Sequence, residues 1–368
     1  MTFCTVDDAL THLKMGKMIV VVDDDDRENE GDLVIPAAFA DAAAVNFMAK
    51  HGRGLICLAM TRDRVSALGL PAMVQHNRSR HQTAFTVSIE AREGVSTGIS
   101  AFDRARTIAV AIDPACGRED LASPGHVFPL VAQDGGVLVR AGHTEASVDL
   151  ARLAGLNPSA VICEIMHDDG SMARGADLQA FARAHDLPIL TIADLIAWRR
   201  QRERLVRCLS TEMVNHSLLG PATLYVYENT LTQRQHLALV KGTLHGEDIP
   251  LVRVHTLQLA PDLLGISDNL ARAAALLKDA PASVLILMNT PEGMQAPSPS
   301  AILREYGIGA QILVDLGVRS MILLSNTTRT IVGLEGYALD VREVRGIRER
   351  ETNAPRLFER PITGVGEG

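Results

Sequence analysis

The sequence predicts an α/β protein of two domains, each built on a mixed sheet with covering helices. Apolar runs bounded by turn residues alternate with helical periodicity in both halves of the chain. The length of 368 residues is more than one domain usually contains. Residues 199–204 are strongly basic, which suits a helix C-terminus at a domain edge. We therefore expect domains at 1–205 and 206–348, followed by a charged, glycine-rich and mobile tail at 349–368.

In the first half, apolar and alternating runs predict strands, and amphipathic periodicity predicts helices. The expected strands are Met18–Val22, Asp32–Pro36, Gly54–Ala59, Ala84–Ile89, Val127–Val131 and Ala160–Ile165. The expected helices are Asp41–Lys50, Arg62–Leu68, Ala101–Ala111, Thr144–Ala154, Asp177–His185 and Ile192–Arg204.

The second half shows the same mixture of patterns. The expected strands of an antiparallel sheet are Ala222–Tyr227, Gln235–Lys241 and Leu251–His255. A helix at Asn269–Lys278, a strand at Ser283–Met288, a helix at Ser300–Leu316 and a strand at Arg319–Ser325 are expected to follow. The segment 289–299 is rich in proline, glycine and serine, which predicts a loop.

Composition excludes several classes of protein. The net charge of -8 and the absence of a basic tract argue against nucleic-acid binding. No basic leader and no uncharged apolar window of membrane-spanning length is present, so we expect a cytoplasmic protein with no membrane association. The five cysteines are odd in number, widely spaced and without a CxxC pair, which favours reduced thiols over disulfides or a cysteine zinc site.

A dense acidic segment follows the first predicted strand. Asp23–Asp32 contains seven carboxylates within ten residues, directly after the apolar run Ile19–Val22. Carboxylates crowded at the end of one strand repel one another unless a divalent cation offsets their charge. The segment therefore predicts a metal site, with a solvated acidic loop as the alternative.

A second polar cluster lies at Arg140–Glu145. Arg140 can bind a phosphate or carboxylate with two parallel hydrogen bonds, and Gly142 permits a close backbone approach. Thr144 is expected to cap the helix that follows, leaving backbone N–H groups for an anion. His143 is placed to meet a metal or a substrate, with a structural histidine as the alternative.

Two further residues complete the candidate set. Glu164 is a carboxylate inside the apolar run Val161–Met166, where burial would raise its pKa. It is therefore a candidate general acid or base, or else the partner in a structural hydrogen bond. His126 follows the turn segment Ser123–Gly125 and precedes an apolar run.

Together these segments resemble the 3,4-dihydroxy-2-butanone 4-phosphate synthase family of riboflavin biosynthesis. The resemblance covers about residues 5–205 and rests on six ordered motifs. They are Asp23–Asp32, Arg53–Cys57, Thr97–Ala101 with Asp103–Arg104, Gly125–Leu130, Arg140–Glu145 and Cys163–Met166. The family usually has glutamate where this chain has Asp25, so no role is assigned to Asp25.

The resemblance implies a lyase that converts D-ribulose 5-phosphate into L-3,4-dihydroxy-2-butanone 4-phosphate and formate, with Mg²⁺ or Mn²⁺. The reaction would pass through an enediolate, dehydration, skeletal rearrangement and loss of carbon four. The family pattern assigns the metal to Glu28 and His143, and catalytic proton transfer to His126 and Glu164. The implied substrate-binding residues are Arg27, Glu28, Asp32, Arg140, Ala141, Gly142, His143, Thr144 and Glu164.

The family resemblance also implies a homodimer with its sites near the subunit interface. Cys57 and Thr107 are candidates for lining the pocket. A cysteine in an apolar strand and a threonine in a helix are more often packing residues, which is the alternative for both.

The second half resembles GTP cyclohydrolase II at Pro250–Thr256, Ala310–Val318 and Leu323–Thr327. That family needs a three-cysteine zinc site after the strand containing His255, but no cysteine occurs after Cys208. Its Glu-Gly-Arg-Gly-Ile-Gly segment is replaced by Glu292–Pro297, which removes an arginine. We therefore expect no zinc and no cyclohydrolase activity, and a structural, dimer-supporting or regulatory domain.

Two alternatives to a synthase with an inactive second domain stay open. One is a bifunctional enzyme that also hydrolyses GTP, which GTP consumption and metal content would reveal. The other is a non-catalytic scaffold that binds a metabolite, which ligand binding without turnover would reveal.

Overall fold

The structure is a computed structural model that describes residues 3–24, 27–79, 83–217, 219–244, 249–258, 261–262, 268–289, 299–326, 337 and 339–347. The chain divides into two compact units. The first ends at Leu205 and also includes Thr230–Gln233, and the second begins at Val206. Asp25 and the expected tail lie outside the described residues. Within the described ranges, no helix combines the length and apolar character needed to cross a membrane.

The first unit is built on one mixed sheet. Its strands are β1 (Ile19–Val22), β2 (Gly31–Pro36), β3 (Cys57–Met60), β4 (Ile89–Ala91), β5 (Leu121–Val131), β6 (Ser159–Glu164) and β7 (Ile189–Thr191). They lie in the order β4-β5-β3-β6-β2-β1-β7. The pairs β3–β5 and β1–β7 are parallel, and the other neighbours are antiparallel.

Helices cover both faces of this sheet. They are α1 (Val6–Lys14), α2 (Ala42–Phe47), α3 (Arg62–Ala67), α4 (Ala101–Ile112), α5 (His143–Leu153), α6 (Ala176–Ala184) and α7 (Ile192–Arg202). Because strand side chains alternate between faces, Ile19 and Val21 pack in one core with α1, α5 and α7. Val20 packs in the other core with α2, α4 and α6. The mixed α/β class predicted for this unit is confirmed.

One strand prediction in the first unit is wrong. The segment Ala84–Ile89 forms isolated bridges rather than a continuous strand, and β4 begins only at Ile89. The segment runs beside Pro129, whose carbonyl accepts from the N–H of Thr86. Proline has no backbone N–H to return a bond, so the ladder is interrupted at this point.

The second unit contains another mixed sheet. Its strands are β8 (Val206–His216), β9 (Gly220–Asn229), β10 (Gln235–Lys241), β11 (Leu251–Thr256), β12 (Ser283–Met288), β13 (Ser320–Leu324) and β14 (Asp340–Arg345), with helices α8 (Asn269–Asp279) and α9 (Pro299–Asp315). Their order is β14-β13-β11-β12-β10-β9-β8. The prediction that β11 belongs to an antiparallel sheet is wrong, because it pairs parallel with β12 and β13. The helix α8 between β11 and β12 provides the crossover that a parallel pair requires.

Candidate active site

The acidic segment connects β1 to β2 and turns around one carboxylate, Asp23. The buried Asp23 side chain accepts hydrogen bonds from the backbone N–H groups of Glu30, at 2.9 Å, and Glu28, at 3.3 Å. The guanidinium of Arg27 donates to Asp23 at 2.7 Å and to the Glu28 carboxylate at 2.8 Å. These bonds hold Asp23 and Glu28 on either side of Arg27, close to the end of β1.

A second pair of carboxylates lies across neighbouring strands. Asp32 on β2 stands directly opposite Glu164 on β6. Burial raises the pKa of Asp32 well above its usual value, and the nearby charge of Glu164 adds to this rise. Burial also raises the pKa of Glu164. Two adjacent buried carboxylates resist double ionisation, so this pair retains a proton more readily than an isolated acid does.

The position of Glu164 depends on a glycine. Its Oε2 accepts from the N–H of Leu55 at 2.8 Å, and its backbone carbonyl accepts from the N–H of Gly54 at 3.2 Å. A Cβ at residue 54 would lie 2.5 Å from Oε2, so only glycine permits this approach. The same bonds explain why β3 begins at Cys57, three residues later than predicted.

The N-terminus of α5 brings two arginines together. The helix begins at His143, and its N-cap is Gly142, which provides no side-chain cap. The prediction that Thr144 caps the helix is therefore wrong: Thr144 is the second helical residue. A Cβ at Gly142 would lie 2.5 Å from Arg140 Nη1, 3.0 Å from Glu145 Oε2 and 3.1 Å from Arg27 Nη2. Two guanidinium groups beside a helix N-terminus form a suitable place for an anion.

Arg140 is held by a buried carboxylate that the sequence analysis did not single out. Glu145 accepts from Arg140 Nη1 at 2.6 Å and from the N–H of Gln133 at 3.0 Å. The other end of the guanidinium, Nη2, lies 3.4 Å from Thr83 Oγ1. Ala141 carries the backbone from Arg140 to the helix. Glu145 thus fixes the direction of the arginine that faces Gly142.

Three potential metal ligands converge at this point. Ligand atoms of Asp23, Glu28 and His143 all lie within 4.8 Å of one another. His143 Nδ1 is 4.0 Å from Glu28 Oε2 and 3.9 Å from Asp32 Oδ1. The imidazole is buried, and burial lowers its pKa, which favours the neutral form that binds metals. The sequence motifs predicted Glu28 and His143 as ligands, but they do not distinguish Asp23 from the neighbouring aspartates.

The donors at this cluster fit a divalent cation. His143 Nε2 is buried and has no hydrogen-bond partner among the described residues. Carboxylate oxygens are the ligands that Mg²⁺ prefers, and Mn²⁺ also accepts imidazole nitrogen. The carboxylates of Glu28 and Asp32 lie near the other ring nitrogen, Nδ1, and a buried imidazole that faces carboxylates without a direct hydrogen bond is more consistent with a metal site than with a solvated loop.

A cavity of about 650 Å³ opens beside this cluster. This volume is within the range typical of small-molecule sites. Its walls mix polar and apolar side chains, which suits a small polar ligand. They include Glu28, Thr83, Gln133, Leu70, Met73 and Val74.

His126 is not part of this cluster. It is exposed on β5, and its Nδ1 lies 2.7 Å from Glu90 Oε2. In the sheet, β3 and β6 separate β5 from β2, which carries Asp32. Three strand spacings amount to about 14 Å, more than one imidazole side chain can span. Within one chain, His126 therefore lies apart from Asp32, whereas Glu164 on β6 is two strand spacings away, about 10 Å, and binds the N–H of Leu55 instead of His126.

Cys57 and Thr107 lie in the interior of the first unit. Cys57 on β3 is 3% exposed, and burial raises its thiol pKa well above the usual value. Thr107 on α4 is 1% exposed; its hydroxyl donates to the carbonyl of Asp103 and accepts from the N–H of Ala91. These surroundings are those of packing residues, which was the alternative stated for both.

In the second unit, the strand that resembles GTP cyclohydrolase II ends in a closed polar pair. His255 Nε2 lies 2.9 Å from Asp262 Oδ2, which also accepts from the N–H of Gln258 at 2.8 Å. Both side chains of the pair are buried. The cysteines that GTP cyclohydrolase II needs for zinc are absent from this part of the sequence, and the carboxylate of Asp262 binds His255 instead. The segment Glu292–Pro297 lies outside the described residues.

Two family models match the chain. Residues 7–198 match the model of 3,4-dihydroxy-2-butanone 4-phosphate synthase. Residues 207–298 and 289–346 match the model of GTP cyclohydrolase II.

Curated relatives match along almost the whole chain. A 3,4-dihydroxy-2-butanone 4-phosphate synthase of Pseudomonas aeruginosa is 46% identical over 362 residues, which cover 93% of this chain and 99% of the relative. The riboflavin biosynthesis protein RibBA of Synechocystis sp. is 47% identical over 373 residues, which cover 93% of this chain and 67% of the relative.

Solved structures agree with this assignment. RibBX, a two-domain 3,4-dihydroxy-2-butanone 4-phosphate synthase from A. baumannii, has a TM-score of 0.80 at 43% identity and covers 93% of this chain and 99% of its own. A 3,4-dihydroxy-2-butanone 4-phosphate synthase in complex with two magnesium ions has a TM-score of 0.53 at 42% identity. The match covers 54% of this chain and 98% of the solved one. The chain therefore belongs to the 3,4-dihydroxy-2-butanone 4-phosphate synthase family of riboflavin biosynthesis, lyases by activity, and its second half is a GTP cyclohydrolase II-like domain.

Proposed function

We propose that the first unit converts D-ribulose 5-phosphate into L-3,4-dihydroxy-2-butanone 4-phosphate and formate, with Mg²⁺ or Mn²⁺ as cofactor. The observation that carries this proposal is the convergence of Asp23 and Glu28 with His143, which is more than one hundred residues away in the chain. Arg27 and Arg140 meet beside the same cluster. This combination would provide a cation site and an anion site, and Glu28 also lines the cavity.

Glu28 and His143 would hold the cation, and Asp23 is a third candidate ligand. When bound, a divalent cation supplies positive charge to stabilise the oxygen anion formed when a proton leaves the carbon beside a ketone. A solved relative in complex with two magnesium ions supports divalent metal use. Burial lowers the pKa of the His143 imidazole, which favours the neutral form that metal binding requires.

The two arginines would hold the anionic end of the substrate. Arg27 Nη2 and Arg140 Nη1 both approach Gly142, where a phosphate could contact both guanidinium groups and the N-terminus of α5. The backbone from Ala141 to Thr144 would complete this binding site. Fixing the phosphate places the ketone and its neighbouring hydroxyls at a constant distance from the carboxylates.

The Asp32–Glu164 pair would serve in proton transfer to and from the substrate. A carboxyl group with a raised pKa can accept a proton from carbon and return one to a leaving hydroxyl near neutral pH. Asp32 and Glu164 share this property because they face each other in a buried position. Glu164 is the proposed proton-transfer residue, its pKa raised by burial, and Asp32 would bind a substrate hydroxyl.

His126 would act in the site of a second copy of the chain. It is exposed, and its own chain places β3 and β6 between it and β2. A homodimer would resolve this separation by presenting His126 to the partner's cavity. Mixing the inactive variants Glu28→Gln and His126→Asn would then restore activity, because some mixed dimers contain one complete site. If mixing restores nothing although subunits exchange, His126 does not act across the interface.

The second unit is proposed to lack GTP cyclohydrolase activity. Hydrolysis of a purine ring by that family depends on thiolate-bound zinc, and no cysteine follows Cys208. Asp262 occupies the turn after His255 instead. Incubation of the purified chain with GTP should give no product, with no stoichiometric zinc in the protein. Formation of product would support the bifunctional alternative.

The direct test of the proposed reaction uses ribulose 5-phosphate labelled at carbon four. With Mg²⁺, the purified chain should release labelled formate, because carbon four is the atom expected to leave. A chelator should stop release, and Mg²⁺ or Mn²⁺ should restore it. Absence of formate with a folded, metal-supplied chain would contradict the proposal.

A further inference from the structure

Glu90 is hydrogen-bonded to His126, and we propose that it is the positioning residue that sets the ring orientation and tautomer of this histidine. The proposal rests on the proposed function, in which His126 transfers a proton. Glu90 does not belong to the acidic segment or to the carboxylate pair described above. It lies on β4, an edge strand of the sheet, whereas β1 lies next to the opposite edge strand, β7.

The geometry of the pair fixes which nitrogen is available. Nδ1 of His126 lies 2.7 Å from Oε2 of Glu90, a normal distance for a charge-assisted hydrogen bond. An ionised carboxylate can only accept, so the ring must carry its hydrogen on Nδ1. The neutral ring then presents Nε2 as its basic atom, and Nε2 has no hydrogen-bond partner among the described residues.

Of the two side chains, the proposed positioning residue is the more buried and the proposed catalytic residue is the more exposed. The Glu90 side chain is 15% exposed, whereas the His126 side chain is 43% exposed. The carboxylate is thus largely enclosed by the protein, and the imidazole faces outward from it. An exposed catalytic base needs a fixed partner of this kind, because otherwise its ring rotates and its proton moves between the two nitrogens.

Glu90 is itself held from both sides. Its carboxylate packs against Gly98, where a Cβ would overlap the carboxylate oxygens. The N–H of Gly98 donates to Asp103 at 3.0 Å, and the N–H of Ala91 donates to Thr107 Oγ1 at 3.0 Å. Both acceptors belong to α4, so one helix fixes the strand that carries Glu90 and the loop that encloses its carboxylate.

The test combines steady-state kinetics with a matched control. Glu90→Gln keeps the size of the side chain but removes the charge that selects the Nδ1–H tautomer. We expect kcat to fall about 10–100-fold with KM nearly unchanged, and Glu90→Asp to recover part of the loss. The control is Glu93→Gln, a substitution at an exposed glutamate three residues away, which should leave both constants unchanged.

A double-mutant cycle separates positioning from general stability. If Glu90 acts through His126, adding Glu90→Gln to His126→Asn should cause no further loss of turnover. Nitrogen NMR of the histidines should also show Nδ1–H as the main neutral form of His126 in the native chain, and a mixture of tautomers in Glu90→Gln. The native-chain spectrum tests the proposal even if Glu90→Gln folds poorly.

Each outcome is decisive. Unchanged kcat in Glu90→Gln, fully additive losses in the cycle, or an Nε2–H tautomer in the native chain would overturn the role of Glu90 while leaving the proposed reaction intact. Full turnover by His126→Asn would overturn both the role of Glu90 and the assignment of His126. Absence of formate from the native chain would be a failure of the proposed function.

Discussion

Each unit places a buried histidine near carboxylate oxygen, but the distance between the imidazole and the carboxylate differs. In the first unit, Glu28 and Asp32 stay 4.0 Å and 3.9 Å from the His143 ring nitrogen. In the second, Asp262 lies 2.9 Å from His255 and closes the pair. Nε2 of His143 and Nδ1 of His255 are buried and have no partner among the described residues. The two sites therefore differ in the distance from the carboxylates to the other ring nitrogen, Nδ1 of His143 and Nε2 of His255. Similar residue types provide room for a cation only where the backbone holds the acids apart.

The largest expected effect comes from removing a ligand of the proposed metal site formed by Asp23, Glu28 and His143. Glu28→Gln and His143→Asn should each lower formate release by about 10³-fold or more, because each removes a ligand that positions the charge-stabilising cation. Circular dichroism and thermal unfolding should show a retained fold. Near-native formate release from either folded variant would contradict the metal assignment.

The buried His236 in the second unit should make the free energy of unfolding depend on pH. Desolvation lowers the pKa of His236 to about 4, below the usual 6.5. Between these values the unfolded chain binds the proton more strongly, so stability is present above about pH 6.5 and is lost as pH falls toward 4. The loss should be at most roughly 3 kcal/mol.

Urea unfolding at several pH values measures this loss. His236→Gln should flatten the dependence between pH 4 and 6.5 relative to the native chain, whatever its effect on stability at neutral pH. An equal slope in both proteins would show that His236 does not contribute.

A substitution of Glu145 tests whether this carboxylate positions Arg140 for substrate binding. Glu145→Gln removes the charge that holds Arg140 at 2.6 Å and should lower kcat/KM for the sugar phosphate by about 10–100-fold. Glu119→Gln, at an exposed residue outside the site, is the control and should change nothing. An unaffected kcat/KM in Glu145→Gln would mean that Arg140 needs no such support.

A substitution of Asp262 tests its hydrogen bond to His255 and should have the smallest effect on formate release. Asp262→Asn weakens the bonds to His255 and to the N–H of Gln258, so the second unit should lose about 1–2 kcal/mol of stability. Formate release at a temperature where the chain stays folded should be unchanged. A proportionate loss of formate release would show that this turn influences the synthase site.

Periodicity predicted most elements well. Gln235–Lys241 and Ser283–Met288 coincide with β10 and β12, because their apolar pattern matches their burial. β8 was not predicted, since most of its residues are exposed on an edge strand and carry no alternating pattern. α1 was also missed, although Thr5 and Asp8 form a capping box that could have revealed it.

For the site, the six motifs in their family order predicted Glu28 and His143 as metal ligands and Glu164 as a proton-transfer residue. Asp23 could not be separated from Asp24 by type alone, because only the folded turn shows which carboxylate accepts the N–H groups of Glu28 and Glu30. Glu145 was also missed as a support, since its role depends on a contact with Arg140 that forms across a turn.

Mn²⁺ binding tests the central claim most directly. Calorimetry and electron spin-echo spectroscopy of Mn²⁺ bound to the native chain should show tight binding and modulation from a directly bound imidazole nitrogen. His143→Asn should lose that modulation, and Glu28→Gln should bind Mn²⁺ about tenfold or more weakly. Unchanged affinity in Glu28→Gln, together with persistent nitrogen modulation in His143→Asn, would contradict the account.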